Sequence, residues 1–181
     1  MTTAPGTEAA DTAADTATAQ PRERTFSWDD PVAIARAGAG LSGIEFLTAI
    51  TEGKIPPPPL MRTLDFDGSS FSEGRAVFRL TPREFHYNPL GTVHGGVFAT
   101  LLDSAAGCAV HSTLPAGVGY TSVDLNVKFL RGMTTGTGRV TCEGRVVHRG
   151  RRMVLAEATL KDGRDRLLAT ATSSCLVFDL A

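Results

Sequence analysis

Asn88-Pro-Leu-Gly91-Thr-Val-His94-Gly95-Gly96-Val-Phe-Ala-Thr-Leu-Leu-Asp103-Ser-Ala-Ala-Gly107-Cys108 is the stretch on which the fold turns. Asn-Pro with Gly91 close behind is a turn signal, and a Gly pair follows it. From there an apolar run continues with no proline before Pro115. The pattern predicts a loop leading into a helix over 95–111. The Gly pair leaves backbone N–H groups bare at the helix start. Free donors and the positive dipole end there favour an anion or a developing oxyanion. Val97, Phe98, Ala99, Leu101, Leu102, Ala105, Ala106, Cys108, Ala109 and Val110 cover most of the circumference, which marks a core helix. Thr100, Asp103, Ser104 and His111 share one side. A carboxylate in the middle of such a helix either lies on a wet stripe or is there for chemistry.

The remaining composition sets limits around that helix. A chain of 181 residues suits one domain. Residues 1–26 read as a disordered, Ala/Thr-rich tail. No large aliphatic follows Met1 up to residue 24, so little apolar surface offsets the ordering entropy. The tail lacks the basic start and apolar stretch of a secretory signal. No apolar run is long enough to span a membrane. Residues 27–60 read as a helical segment ended by a spacer, Pro56 to Pro59, and 61–181 as the domain proper.

The formal net charge of −1 is unevenly spread. Lys128, Arg131, Arg139, Arg145, Arg149, Arg151 and Arg152 face one acid, Glu143. Such a run points to a polyanionic partner or to solvated strand faces. Little aromatic interleaving, and no RNP or helix-turn-helix pattern, argue against nucleic acid. Cys108, Cys142 and Cys175 match no metal or disulfide spacing and sit in apolar runs. They read as small core residues in a reducing cytoplasm. His86, His94, His111 and His148 have no paired spacing for a metal.

In chain order, Asp29 and Asp30 before Pro31 predict a helix start. Gly38, Gly40 and Gly43 split the pattern of 27–51 into two short pieces. Ile44, Leu47 and Ile50, three apart, form a row that can pack on the domain. Met61 to Asp67 is a candidate strand, and Arg75 to Leu80 alternates with Ala76, Phe78 and Leu80 on one face. After the long helix, Val123, Leu125, Val127 and Phe129 fall on one side of a strand. Ser122, Asp124, Asn126 and Lys128 fall on the other. Gly138 to His148, Met153 to Leu160 and Leu167 to Phe178 follow, parted by short turns. This order predicts an α+β fold, a curved antiparallel sheet of about six strands wrapped around one long central helix. The outer sheet face then needs cover, which predicts dimerisation.

Asn88-x-x-Gly91-x-x-His94-Gly95-Gly96 with Leu102-Asp103-x-Ala105 resembles the motif of PaaI-type hotdog-fold acyl-CoA thioesterases. Ser122-Val-Asp-Leu-Asn126, Phe129-Leu-Arg131 and Val147-x-x-Gly150-Arg151-Arg152 extend the resemblance over roughly residues 40 to 178. It implies a hotdog fold, a homodimer or homotetramer, and hydrolysis of acyl-CoA without metal. No cofactor is implied, because CoA is part of the substrate. Asp103 matches the catalytic carboxylate, acting as general base or nucleophile. The Gly95 N–H matches the donor that polarises the thioester carbonyl. Asn88 and His94 match residues that position water and substrate, and Ser122 an assisting hydroxyl. Gly96, Lys128, Arg131, Arg149, Arg151 and Arg152 are the candidate substrate- and CoA-binding residues.

The chemistry adds a geometric condition. A thioester carbonyl needs a donor near its oxygen and a base or nucleophile near its carbon. Gly95 and Asp103 are eight residues apart, about 12 Å along a helix. If both act, Asp103 of one chain meets Gly95 of another, which places two sites at a two-fold interface. Arg149, Arg151 and Arg152 can grip CoA phosphates by forked hydrogen bonds, with Lys128 and Arg131 as alternatives. Phe98, Leu101 and Leu102 are expected to line an apolar pocket for a medium-chain or aryl acyl group. Ser104 beside Asp103 lacks a Gly-x-Ser-x-Gly elbow. A hotdog dehydratase or hydratase and a non-catalytic acyl-CoA-binding module are the competing readings. Asp103 in the middle of the helix with His94 before it fits hydrolysis better than dehydration, and intact Asn88, Gly95 and Asp103 argue against a binding module.

Overall fold

Asp30 accepts a hydrogen bond from the Val32 N–H at 2.9 Å and so starts helix α1 (Pro31–Ala37) in the computed structural model, which describes residues 21–180. The part of the expected disordered tail in residues 1–20 lies outside the described residues. Residues 21–30 have no regular element, yet they are held in place. Arg24 donates to the Thr63 and Arg62 carbonyls at 2.6 and 2.7 Å, and its guanidinium lies 4.1 Å from the Phe85 ring centre. Within the described residues, Arg24 thus anchors the last part of the segment expected to be tail.

Ser42 and Glu45 cap each other at the start of α2 (Gly43–Thr51). These bonds to Ser42 hold the Glu45 carboxyl below its usual range. The strand expected over Met61 to Asp67 begins later. Pro58 and Pro59 need no N–H partner at a helix start, so a short helix α3 (Pro59–Thr63) forms instead. The first strand, β1, is Phe66–Ser72.

The other elements are β2 (Arg75–Leu80), α4 (Gly95–His111), β3 (Val118–Phe129), β4 (Val140–Arg149), β5 (Met153–Lys161) and β6 (Leu167–Asp179). All six strands form one antiparallel sheet in the order β1-β2-β4-β5-β6-β3, so β1 and β3 are its edges. The sheet wraps α4, which packs against every strand. This is the predicted hotdog arrangement. Leu101, Leu102, Ala105, Ala106, Ala109 and Val110 are all at 0 % exposure between helix and sheet. Two glycines permit the closest approaches. A Cβ on Gly144 of β4 would lie 2.1 Å from the Ala105 carbonyl oxygen, and one on Gly43 would lie 1.8 Å from that of His111. The Gly43 N–H also donates to the Leu114 carbonyl at 2.9 Å, which docks α2 at the C-terminal end of α4.

The outer sheet face is largely polar. Arg75 grips Glu143 with two bonds of 2.7 and 2.8 Å, and Arg145 pairs with Glu157. Val147, Met153 and Leu155 are exposed at one end. Much of the basic run is thus absorbed locally. Arg139 pairs with Asp67 at 2.9 Å, and Arg149 donates to the Thr113 carbonyl at 2.5 Å. Lys128, Arg131, Arg151 and Arg152 are exposed, with no ion pair among the described residues.

Strand β3 departs from the simple alternation expected of it. Ser122 faces Cys175 of β6, but Asp124 faces Ser174, so Val123 is an extra residue in a β-bulge. The bulge resets the alternation. Tyr120, Leu125 and Val127 pack toward the core, while Val123 is 54 % exposed. Ser122 therefore shares the helix-facing side with Leu125 and is parted from Asp124, Asn126 and Lys128.

Candidate active site

The loop before α4 is built by its own side chains. Asn88 Oδ1 accepts from the N–H groups of Leu90 and Thr92, and Asn88 Nδ2 donates to Thr92 Oγ1. Gly91 turns the loop at φ 76°. The Val93 N–H donates to the Met133 carbonyl and the His94 N–H to that of His86, both at 2.8 Å. The Asn88 side chain, expected to position water and substrate, is engaged in shaping this loop.

His94 is the N-cap of α4. Its Nδ1 accepts the Gly96 N–H at 2.8 Å, so the neutral ring carries its proton on Nε2. Gly96 has spent its N–H on this cap. Gly95, at the first helical position, has no intrahelical acceptor for its N–H, and none is found among the described residues. Gly95 is thus the donor left over at the helix start. The Phe129 ring packs there, 3.3 Å from where a Cβ would stand.

Asp103 sits two turns further along α4, half-buried. Ser122 Oγ donates to its Oδ1 at 3.0 Å. The structure brings these two sequence-identified residues together and leaves Asn88, His94 and Gly95 at the helix start. Asp103 stands where two spaces meet. One is an open groove of about 460 Å³, lined by Leu60, Thr100, Asp103, Ser122 and Val123. The other is an apolar cavity of about 220 Å³ between α4, the α2–α3 segment and β1–β2. Leu60 and Asp103 line both. Leu47, Met61, Phe71 and Phe78 wall the cavity, with Cys108 and Tyr120 beside Asp103. Burial pushes the Cys108 thiol up to about 12 and the Tyr120 hydroxyl well above its usual value, so both stay protonated at neutral pH.

Phe98, Leu101 and Leu102 do not line this cavity. They are 3 %, 0 % and 0 % exposed, on the side of α4 that the sheet covers. The walls come instead from Leu60, read as the end of the spacer segment, and Met61, read as the start of a strand, together with Leu47, Phe71 and Phe78. The apolar row of α2 was the signal available for that side, and Leu47 and Ile50 from it do reach the cavity.

His86, unassigned by any motif, is 3 % exposed and holds this region together. Its Nδ1 accepts the Arg83 N–H at 3.0 Å and its Nε2 donates to the Leu64 carbonyl at 2.9 Å. Burial lowers its pKa from the usual 6.5.

The candidate CoA-binding cations fall into two groups. Lys128 and Arg131 flank Phe129 at the N-terminal end of α4. Arg149, Arg151 and Arg152 share a turn tied to Thr113, beyond its C-terminal end. The 17 residues of α4 separate the ends by about 25 Å. No cluster of metal-binding side chains exists among the described residues, and no helix there is long and apolar enough to cross a membrane.

Residues 90–169 match the family model of the thioesterase superfamily. An esterase-like protein of Halobacterium salinarum is 38% identical over 129 residues, covering 68% of this chain and 83% of that one. A solved thioesterase-like, phenylacetic acid degradation-related protein of Ralstonia eutropha is 26% identical, with a TM-score of 0.65 over 71% of this chain and 97% of that one. A Streptococcus mutans protein solved with bound acetyl CoA is also 26% identical, with a TM-score of 0.58 over 64% of this chain and 90% of that one.

Proposed function

Because the chain belongs to the thioesterase superfamily, we propose that it hydrolyses the thioester bond of an acyl-CoA to a free acid and CoA. The observation that carries this reading is the Asp103–Ser122 pair at the joint between groove and apolar cavity. A thioester lying in the groove has its acyl group in the cavity and its carbonyl carbon beside the carboxylate. Asp103 then takes a proton from attacking water as the C–S bond breaks and CoA leaves. Alternatively it attacks the carbonyl carbon itself, expelling CoA as thiolate and forming an anhydride. Water hydrolyses that anhydride to the free acid and the regenerated carboxylate, its proton passing to the thiolate. The Ser122 hydroxyl holds Oδ1 and leaves Oδ2 for the reaction. A free backbone N–H at a helix start stabilises the oxyanion, and Gly95 carries such a donor.

Within one α4 helix Gly95 and Asp103 are about 12 Å apart, so the donor at each site comes from a second copy. Edge strand β3 offers the route to it. Antiparallel pairing of two β3 edges continues the sheet and sets two α4 helices side by side in opposite directions. The exposed Val123 and Phe129 on that strand favour its coverage. We place two sites in a homodimer, which itself can pair into a tetramer. Lys128, Arg131, Arg151 and Arg152 supply positive charge for the CoA phosphates. The apolar cavity, with Phe66, Phe71 and Phe78 among its aliphatic walls, suits a medium-chain or aryl-acetyl group. Free buried thiols fit a reducing cytoplasm. Release of CoA thiol from a panel of acetyl-, octanoyl-, palmitoyl- and phenylacetyl-CoA tests the reading. Turnover that Asp103→Asn abolishes without loss of fold supports it. An inactive wild type that still binds CoA would make the chain a binding module.

A further inference from the structure

We propose that Asp124 and Ser173 are positioning residues: they hold the β3 bulge that turns the Ser122 hydroxyl onto Asp103. The kinetic part of this inference rests on the thioesterase reading. The structural part does not.

The bulge is a requirement of the site. Tyr120 faces Val177, Ser122 faces Cys175, Leu125 faces Ser173 and Val127 faces Ala171, all on the helix-facing side of the sheet. A regular strand cannot present both Ser122 and Leu125 to one side, because alternate residues point to opposite faces. With the register of Leu125 and Val127 carried back unbroken, Val123 would face α4 and Ser122 would face away. With the register of Ser122 carried forward, Asp124 and Asn126 would enter the core. Val123 as an extra residue satisfies both halves, but an extra residue leaves ladder groups unpaired.

Two side chains meet that cost, one from each strand. Asp124 Oδ1 accepts the Ser174 N–H of β6 at 3.1 Å. Ser173 Oγ donates to the Asp124 carbonyl oxygen at 2.8 Å. Ser173 is 2 % exposed, one of few buried polar residues, and this bond gives it a partner. Both bonds close on the residue just after the bulge, two positions from Ser122. Neither Asp124 nor Ser173 bonds to Asp103. Their effect on it passes through the position of Ser122.

The test compares wild type, Asp124→Ala, Asp124→Asn, Ser173→Ala, Ser122→Ala and Asp124→Ala/Ser122→Ala. Asp124→Asn keeps an Oδ1 acceptor. Asp124→Ala is expected to lower kcat between about tenfold and a hundredfold, the scale of a displaced catalytic contact, with KM within about twofold. Asp124→Asn is expected to restore most of it. The double variant is expected to be no slower than Ser122→Ala, because the two residues act along one line. Amide exchange provides a readout independent of turnover. The Ser174 N–H is expected to exchange faster in Asp124→Ala than in wild type, and in Asp124→Asn as in wild type. Ser173→Ala gives the second approach should Asp124→Ala fold poorly, with the same loss of kcat expected. Wild-type kcat in Asp124→Ala or Ser173→Ala, or a loss that multiplies with that of Ser122→Ala, overturns the positioning role. Unchanged Ser174 exchange in Asp124→Ala overturns the bulge clamp, even if no acyl-CoA proves to be a substrate. A wild type inactive on every acyl-CoA removes the thioesterase reading, and the exchange result then decides the clamp alone.

Discussion

The two sides of α4 carry opposite assignments within one helix. Leu101, Leu102, Ala105 and Ala109 meet the sheet and are at 0 % exposure. Thr100, Asp103, Ser104 and Cys108 face the groove and cavity under the α2–α3 segment. The first side is closed by the sheet and leaves no room. The second is closed only in part, by short helices that do not belong to the sheet. Stability and chemistry can therefore be separated by a rotation of about 100° around the helix axis, from residue 102 to residue 103.

Adjacent substitutions put that separation to its hardest test. Asp103→Asn is expected to cut kcat by about a thousandfold, typical of a lost general base. That is about 4 kcal/mol of barrier. Its melting temperature is expected to stay near the wild type. Leu102→Ala is expected to do the reverse. It costs about 3 kcal/mol of stability for the lost burial and the cavity left behind. It changes kcat per folded molecule little. Denaturant unfolding and thiol-release kinetics on both proteins provide the check. A large activity loss in folded Leu102→Ala would mean that the sheet side also positions the carboxylate.

The sheet side was legible in the sequence because its code is periodic. Apolar residues at helical spacing over 95–111 marked α4, and alternation marked most strands. Asp103 stood out as a charge against that background. The other side was read less well. Leu60 follows four prolines, a composition that looks like a spacer, and Met61 reads as the start of a strand; nothing local says that they close a cavity against Phe71 and Phe78. Phe98, Leu101 and Leu102 were taken for pocket walls because apolar character does not say which partner it meets. The β3 bulge was invisible for a related reason. Val123 fits either alternation, and only pairing with β6 shows where the extra residue falls. Ser122 was placed by resemblance on a face that simple alternation denied it.

The open side can be sharpened by filling it. Cys108→Phe puts a ring into the cavity beside Tyr120, without touching the sheet side. It is expected to lower kcat/KM for octanoyl- and phenylacetyl-CoA by about tenfold to a hundredfold relative to acetyl-CoA, the range for a pocket altered by a few carbons. Leu60→Ala is expected to widen the joint and to relax selection among the longer acyl groups. Equal losses on all three substrates in Cys108→Phe would place the acyl group elsewhere. They would also reduce the cavity to a packing defect beneath α2.

The smallest expected effect comes from two imidazoles, His86 buried and His111 half-buried. His111 ends α4 between the Phe46 and Tyr120 rings, and burial lowers its pKa from 6.5. His86 clamps Arg83 to Leu64, and burial lowers its pKa as well. Arg24 and Arg83 nearby add to the lowering, against the Leu64 carbonyl and Asp65. The unfolded chain thus takes up these protons at a higher pH than the folded one. Stability from the neutral rings is complete above about pH 6.5 and falls as pH drops from there toward the lowered values. Thermal melts at pH 7.5 and 5.5 are expected to show a decrease of a few degrees. His86→Gln keeps a donor for Leu64 but does not titrate. It is expected to melt lower than wild type at pH 7.5 and to lose less on acidification. An identical acid shift in wild type and His86→Gln would leave His111 as the titrating group, and the pH sensitivity would then sit on α4 itself. A smaller shift would assign it to the clamp that seats the loop before α4.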